Sequence, residues 1–181
     1  LAMREFDRIL DAGGLRGFYH HDAPSWQFYD RAAAAGVMTL PCPLDIPPWE
    51  SVSPFRLFLH WAYAAANMRL THAATLGVGG YGALIVGASG SGKSGTALAG
   101  LLNGLDSVGD DYVLVEQGPG VVAWPVLAVV KQDPEGLRRA GVPQGAFDAA
   151  GLNWHGKVEV EVEKLAPGGL VDRMEIGALL I

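Results

Sequence analysis

The chain has 181 residues, half of them apolar and 18% charged, with a formal net charge of −6. That composition suits one well-buried globular domain, or a domain with a small appendage, and excludes a disordered chain. The acidic balance and the lack of any Lys/Arg cluster denser than Arg138-Arg139 argue against nucleic acid as a partner. Cys42 is the single cysteine, so no internal disulfide can form, which fits a reducing compartment. The opening "LAMREFDRIL" lacks the apolar core of a signal peptide, and the longest apolar runs are too short and too rich in Gly or Pro to cross a bilayer. A cytoplasmic protein with no membrane partner is expected.

In chain order, "RGFYHH-DAPS-WQFYD" predicts strand, turn and strand. Residues 41–54, "PCPLDIPPWESVSP", read as a Pro-rich connector, so residues 1–50 form an N-terminal hairpin region and 51–181 the core. Ser53-Pro54 reads as an N-cap and first helical residue, opening a mostly buried helix over "PFRLFLHWAYAAANM". "LTHAATLGV" and "GALIVG" read as strands joined at Gly79-Gly80-Tyr81. A helix over "KSGTALAGLLNG" should end at Gly104, followed by short strands in "DSVGDD", "YVLVE" and "VVAWPVLAVV". "DPEGLRRAG" reads as a short helix. "KVEVEVEKL" alternates strictly, with Val158, Val160 and Val162 inward and a solvated Glu row outward. "EIGALLI" closes as a buried strand. The fold class is a strand-rich α/β domain around one central helix.

"GASGSGKS", from Gly87 through Ala88, Ser89, Gly90, Ser91, Gly92 and Lys93 to Ser94, fits the G-x-x-x-x-G-K-[ST] pattern between an apolar strand and a helix. Its glycines let backbone N–H groups converge on phosphate oxygens, and the helix N-terminus adds partial positive charge. Lys93 would reach the β- and γ-phosphates, and the Ser94 hydroxyl would ligate Mg²⁺. Asp110-Asp111 follow after one helix and would end or begin a strand beside the P-loop strand. Adjacent strand residues point to opposite faces, so one aspartate reaches substrate unless a turn intervenes; "GDD" is also good turn chemistry. The chemistry asks for one carboxylate at Mg²⁺ and one to accept a hydroxyl proton.

His72 to Glu116, "HAATLGVGGYGALIVGASGSGKSGTALAGLLNGLDSVGDDYVLVE", resembles the catalytic core of the HPr kinase/phosphorylase family and its short stand-alone relatives, including lasso-peptide-associated serine kinases. The resemblance implies a P-loop kinase fold shared with phosphoenolpyruvate carboxykinase, with ATP and Mg²⁺ as cofactors. It implies His72 near the transferred phosphoryl group, Asp110 as base, and Asp111 with Ser94 at the metal. Read without it, His72 is an ordinary core histidine on a strand. Lys131 falls where the short relatives place an active-site lysine, against the commoner reading of a strand-end lysine. Gly95, the last residue of the expected nucleotide site, departs from the family's acidic residue there. The family's larger N-terminal domain and arginine-rich substrate loop have no counterpart. The expected activity is transfer from MgATP to a serine of a peptide or small protein, in a monomer or a homo-oligomer. A small-metabolite kinase of shikimate or gluconate type and a nucleotide-binding regulator without turnover stay open.

Overall fold

The structure is a computed structural model that describes residues 8–53, 55–148 and 150–181. The stretch before Arg8 lies outside the described residues. The chain divides after Ala66 into two compact units.

The first unit is an antiparallel meander of β1 (Arg8–Ala12), β2 (Leu15–His20), β3 (Ser25–Asp30) and β4 (Ala35–Thr39), in that order across the sheet. The predicted hairpin is β2–β3, so the region holds four strands where two were expected. Along β3 the period of two is clear: Ser25, Gln27 and Tyr29 are buried, while Trp26 and Phe28 stack on the opposite face. The connector contains a one-turn helix, α1 (Pro48–Val52), and Ser53 closes it as C-cap instead of opening the next helix. Pro54 lies outside the described residues. Helix α2 (Arg56–Ala64) starts from Phe55, which takes a left-handed φ of 58°. The Phe55 N–H donates to the buried Glu50 carboxylate at 2.8 Å, and the other oxygen of Glu50 accepts from Gln27 at 3.2 Å. A glutamate from the preceding turn thus satisfies a donor at the helix start that Ser53 was expected to serve. Helix α2 buries only one face, through Leu57 and Trp61 at i and i+4, whereas Phe55 and Tyr63 are exposed. It is amphipathic, not mostly buried.

The second unit begins with β5 (Met68–Thr71), β6 (Ala74–Val78) and β7 (Tyr81–Ile85), followed by α3 (Lys93–Leu102). Next come β8 (Val113–Gln117), β9 (Val121–Pro125), β10 (Val129–Gln132) and α4 (Pro134–Arg139). A 3₁₀ turn (Gln144–Ala146), β11 (Val158–Glu161), α5 (Val162–Leu165) and β12 (Met174–Leu180) complete it. The main sheet has the order β5-β8-β9-β12-β7-β6, antiparallel except for the β12–β7 pair. β10 and β11 form a separate antiparallel ribbon. The result is a strand-rich α/β unit with a mixed sheet.

β5 and β6 stand at opposite ends of the strand order, yet only His72 and Ala73 separate them. Three peptide links span about 11 Å at most. Six strands in a flat sheet would put the edges about 24 Å apart. The sheet must therefore curl until its two edges approach each other at His72. Residues 106–109 run along the outer side of β6: Gly77 and Asp106 exchange both backbone bonds, and the Thr75 N–H donates to the Gly109 carbonyl. The strand predicted in "DSVGDD" is instead a bridging segment, with isolated bridges to Gly77 on one side and to Leu170 on the other.

Two other predicted strands change. "VVAWPVLAVV" is cut after Pro125 into β9 and β10, which belong to different sheets, since proline cannot donate to a ladder. "EIGALLI" is β12, but Leu179 and Leu180 at its end are exposed because β9 pairs only with Met174 and Glu175. The valine alternation holds, with Val158, Val160 and Val162 all buried, although β11 stops at Glu161 and Val162 opens α5. Helix α3 packs Leu98 and Leu101 among Val130, Val158 and Val160 of the ribbon, and Ala97 against Ala74 and Ile85 of the sheet. It ends at Asn103 with Gly104 at φ 81°, closed by bonds from Gly104 N–H to Leu101 and from Leu105 N–H to Gly100, a Schellman motif.

The hairpin β6–β7 has no room at Gly82. A Cβ there would lie 2.2 Å from the Leu76 carbonyl oxygen and 2.5 Å from the Met174 sulfur. Gly82→Ala is expected to destabilise the chain by roughly 1–3 kcal/mol or more, read as a lowered urea midpoint. An unchanged midpoint would contradict this packing.

Candidate active site

β7 delivers the chain to the glycine loop, and α3 leads away from it. Gly90 and Gly92 take left-handed φ values of 82° and 96°, which a side chain would strain. Gly92 is the residue before α3 and offers no side-chain cap, so the first N–H groups of this ten-residue helix stay available to an anion. Lys93 is buried, and its Nζ donates to the Gly87 and Ala88 carbonyls at 2.8 and 3.0 Å. The lysine is folded back onto its own loop, and Ser91 lies over Gly87, where a Cβ would meet its Oγ at 2.7 Å.

Asp110 and Asp111 lie in a turn just before β8, not on a strand. The Tyr112 N–H donates to the Asp110 carbonyl, and Asp111 has a φ of 74°, a conformation that aspartate tolerates better than most residues. The expected place beside the P-loop strand is also corrected: β8 pairs with β5 and β9, whereas β7 lies between β12 and β6. Because a turn intervenes, the two carboxylates need not point to opposite faces.

Asp110 is 2% exposed. Its Oδ2 accepts from the Lys131 backbone N–H at 3.1 Å. Ser94 lies beside it, yet Oδ1 has no hydrogen-bond partner of normal geometry. Burial pushes its pKa up; the bonds from Lys131 and Ser94 oppose that shift without cancelling it. Asp111 behaves in the opposite way. Burial would raise it, but His72 Nε2 at 3.2 Å and Lys131 Nζ at 2.8 Å outweigh that cost and hold its carboxyl well below the usual carboxylate range.

His72 sits immediately after β5, not within a strand as the sequence suggested, and its side chain is half-exposed. Its ring stacks on Tyr112 at 5.2 Å. It is thus not a core histidine. Lys131 is not an ordinary strand-end lysine either: it is 3% exposed and holds both aspartates, one through its backbone and one through its ammonium. The structure brings His72, Asp110, Asp111 and Lys131 together, with Ser94 at Asp110.

Gln132 escaped the sequence reading. A Cβ on Gly95 would meet its Nε2 at 3.3 Å, and a Cβ on Gly136 would meet its Cδ at 2.7 Å. Two glycines, one on α3 and one on α4, make the slot for this side chain. Space beside Gly95, where the resembled family carries an acidic residue, is lined here by a neutral carboxamide. No motif signals this, because residues 95, 132 and 136 meet only in the folded chain.

Among the described residues, no group of three or more His, Cys, Asp or Glu side chains is arranged to hold a metal ion by itself. Mg²⁺ does not require one, since it binds through one or two carboxylates together with substrate phosphates and water. The buried Asp110 carboxylate, which lies beside Ser94 and whose Oδ1 has no hydrogen-bond partner, is an oxygen donor of the right kind.

The opposite shifts of the two aspartates set opposite stability profiles. The folded pKa of Asp111 lies below its unfolded value, so its contribution is fully present above the unfolded value and is lost as pH falls through the folded one. The deficit of Asp111→Asn in urea midpoint should be large at pH 7 and shrink below about pH 4. For Asp110 the folded pKa is raised, so its ionised form is a burden at neutral pH. Asp110→Asn is expected to match or exceed the wild-type midpoint at pH 7. A strongly destabilised Asp110→Asn, or a pH-independent Asp111→Asn deficit, would contradict these environments.

No protein-family model matches the chain, and no curated protein matches it. Among solved structures, the chain is similar to that of the Hpr(Ser) kinase/phosphatase from Coxiella burnetii, with 24% identity and a TM-score of 0.41 over 61% of this chain. It spans 63% of the length of that structure. No helix among the described residues is long and apolar enough to cross a membrane.

Proposed function

We propose that this chain is an ATP-dependent phosphotransferase that passes the γ-phosphoryl group of MgATP to a hydroxyl, and that the acceptor is a serine of a peptide or small protein. The observation that carries this reading is the aspartate turn packed against the first turn of α3, with the free oxygen of Asp110 beside Ser94.

When bound, MgATP supplies the electrophilic γ-phosphorus, and the metal neutralises charge on the phosphate oxygens. The loop N–H groups and the open end of α3 bind the phosphates. Lys93, which donates to the Gly87 and Ala88 carbonyls, would exchange those bonds for phosphate oxygens. Ser94 and Asp110 would hold Mg²⁺. Asp111 would stay ionised and accept the hydrogen bond of the incoming hydroxyl, orienting it for in-line attack; as the hydroxyl oxygen bonds to the γ-phosphorus, the bond to the β-phosphate oxygen would break, ADP would leave, and the hydroxyl proton would pass to the Asp111 carboxylate and on to solvent. This division of labour reverses the one suggested by the resemblance. The free oxygen of Asp110 supports it, as does the occupation of both Asp111 oxygens by His72 and Lys131. Lys131 and His72 keep that carboxylate charged and aimed.

The test is phosphotransfer followed by intact mass, with MgATP, serine-bearing peptides and a polyol mixture. Lys93→Ala is expected to abolish transfer. Asp111→Asn should lower the rate roughly a hundredfold or more while keeping Mg²⁺-dependent nucleotide binding. Asp110→Asn should lose that Mg²⁺ dependence. Transfer by Asp111→Asn at near wild-type rate would reject its role. Phosphorylation of a polyol alone would move the chain to the metabolite kinases.

A further inference from the structure

Resting on the kinase reading above, we infer that the loop spanning residues 151–157 is the acceptor-docking lip, and that Trp154 and Leu152 bind an apolar side chain of the acceptor peptide close to the reacting serine.

The placement follows from the β10–β11 register. Lys131 and Glu159 are direct cross-strand partners, so their side chains leave the same face of the ribbon, about 5 Å apart at Cβ. Lys131 reaches Asp111 at 2.8 Å. Glu159, its neighbour, accepts from Asn153 Nδ2 at 3.3 Å. The loop is therefore tied down one side chain away from the group that aims Asp111.

Asn153 builds the loop. Its Oδ1 accepts from the N–H groups of His155 and Lys157 at 3.0 and 3.1 Å. Its own N–H donates to the Lys157 carbonyl, and its carbonyl accepts from Gly156, which turns the chain at φ 72°. On this fixed turn Trp154 is 51% exposed and Leu152 is 62% exposed, with the Trp154 ring 3.7 Å from that of His155. A single exposed apolar residue needs no explanation. Here two large ones stand two residues apart, on a loop that the part-buried bond from Asn153 to Glu159 ties to the ribbon carrying Lys131. A half-exposed tryptophan with fixed surroundings is the residue type that anchors a peptide at low entropic cost. The occupant is a peptide with an aliphatic or aromatic side chain within a few residues of its serine. A sugar or other small polar acceptor would leave both side chains in water.

The experiment uses the full chain, MgATP and two pools of acetylated peptides with one serine each. One pool carries Leu, Phe or Trp within three positions of the serine; the other carries Gly, Asn or Asp there. Wild type should favour the apolar pool by about tenfold in kcat/KM. Trp154→Ser combined with Leu152→Ser should erase that preference through a raised KM, with kcat and MgATP affinity retained. Asn153→Ala, which unties the loop but keeps both apolar residues, should raise KM in the same way. Equal use of the two pools by wild type, or an unchanged preference in the variants, would overturn the inference while leaving the kinase reading intact. Transfer to neither pool, with a polyol phosphorylated instead, would reject the peptide-kinase reading and the docking lip with it.

Discussion

Lys131 is the residue on which the site depends. It stands on β10, in the small ribbon, and both carboxylates of the aspartate turn lean on it: Asp110 through its backbone N–H, Asp111 through its ammonium. Because β10 packs on α3 through Val130, the same strand that grips the aspartates also fixes the helix that carries Lys93 and Ser94. One strand therefore sets the distance between the phosphate-binding loop and the acidic turn. Removing its charge would take from the part-buried Asp111 the ammonium that holds its Oδ2 at 2.8 Å, and a partly desolvated carboxylate that loses its cation is tolerated poorly.

The arrangement is costly, and the costs gather at the site. Asp110 is ionisable, almost wholly buried and short of one hydrogen bond. Asp111 holds a left-handed backbone conformation. Lys93 is buried against carbonyls of its own loop. None of these features is needed to fill the core, which is supplied by Leu98, Leu101 and the ribbon valines. Residues kept at the expense of stability point to a function for the place where they meet. The β5–β8 pairing makes this meeting possible: Thr71 lies opposite Val113, so His72, just after β5, arrives beside Asp111, just before β8.

Local signals in the sequence were legible where one residue decides the outcome. The glycine loop, the Gly104 stop of α3, the short helix α4 and the valine alternation of β11 each depend on near neighbours alone. What stayed hidden depends on partners far along the chain. "LTHAATLGV" splits into two strands because its halves pair with different partners, β5 with β8 and β6 with β7. Helix α2 starts from Phe55, whose N–H is taken by Glu50, a residue that also accepts from Gln27 of β3. Lys131 looks like a strand-end lysine until β10 is seen to pack beside α3. Gln132 carries no signal at all, since its slot is made by two glycines that are 41 residues apart, Gly95 and Gly136.

The most direct measurement is the rate of phosphoryl transfer by Lys131→Met, which keeps the length of the side chain and removes its charge. The account expects a folded protein that still binds MgATP and transfers at least about a hundredfold more slowly, in line with the loss of one preorganised charge at a reacting centre. A folded Lys131→Met that transfers at the wild-type rate would contradict it, because Asp111 would then work without the ammonium that the account makes its main partner.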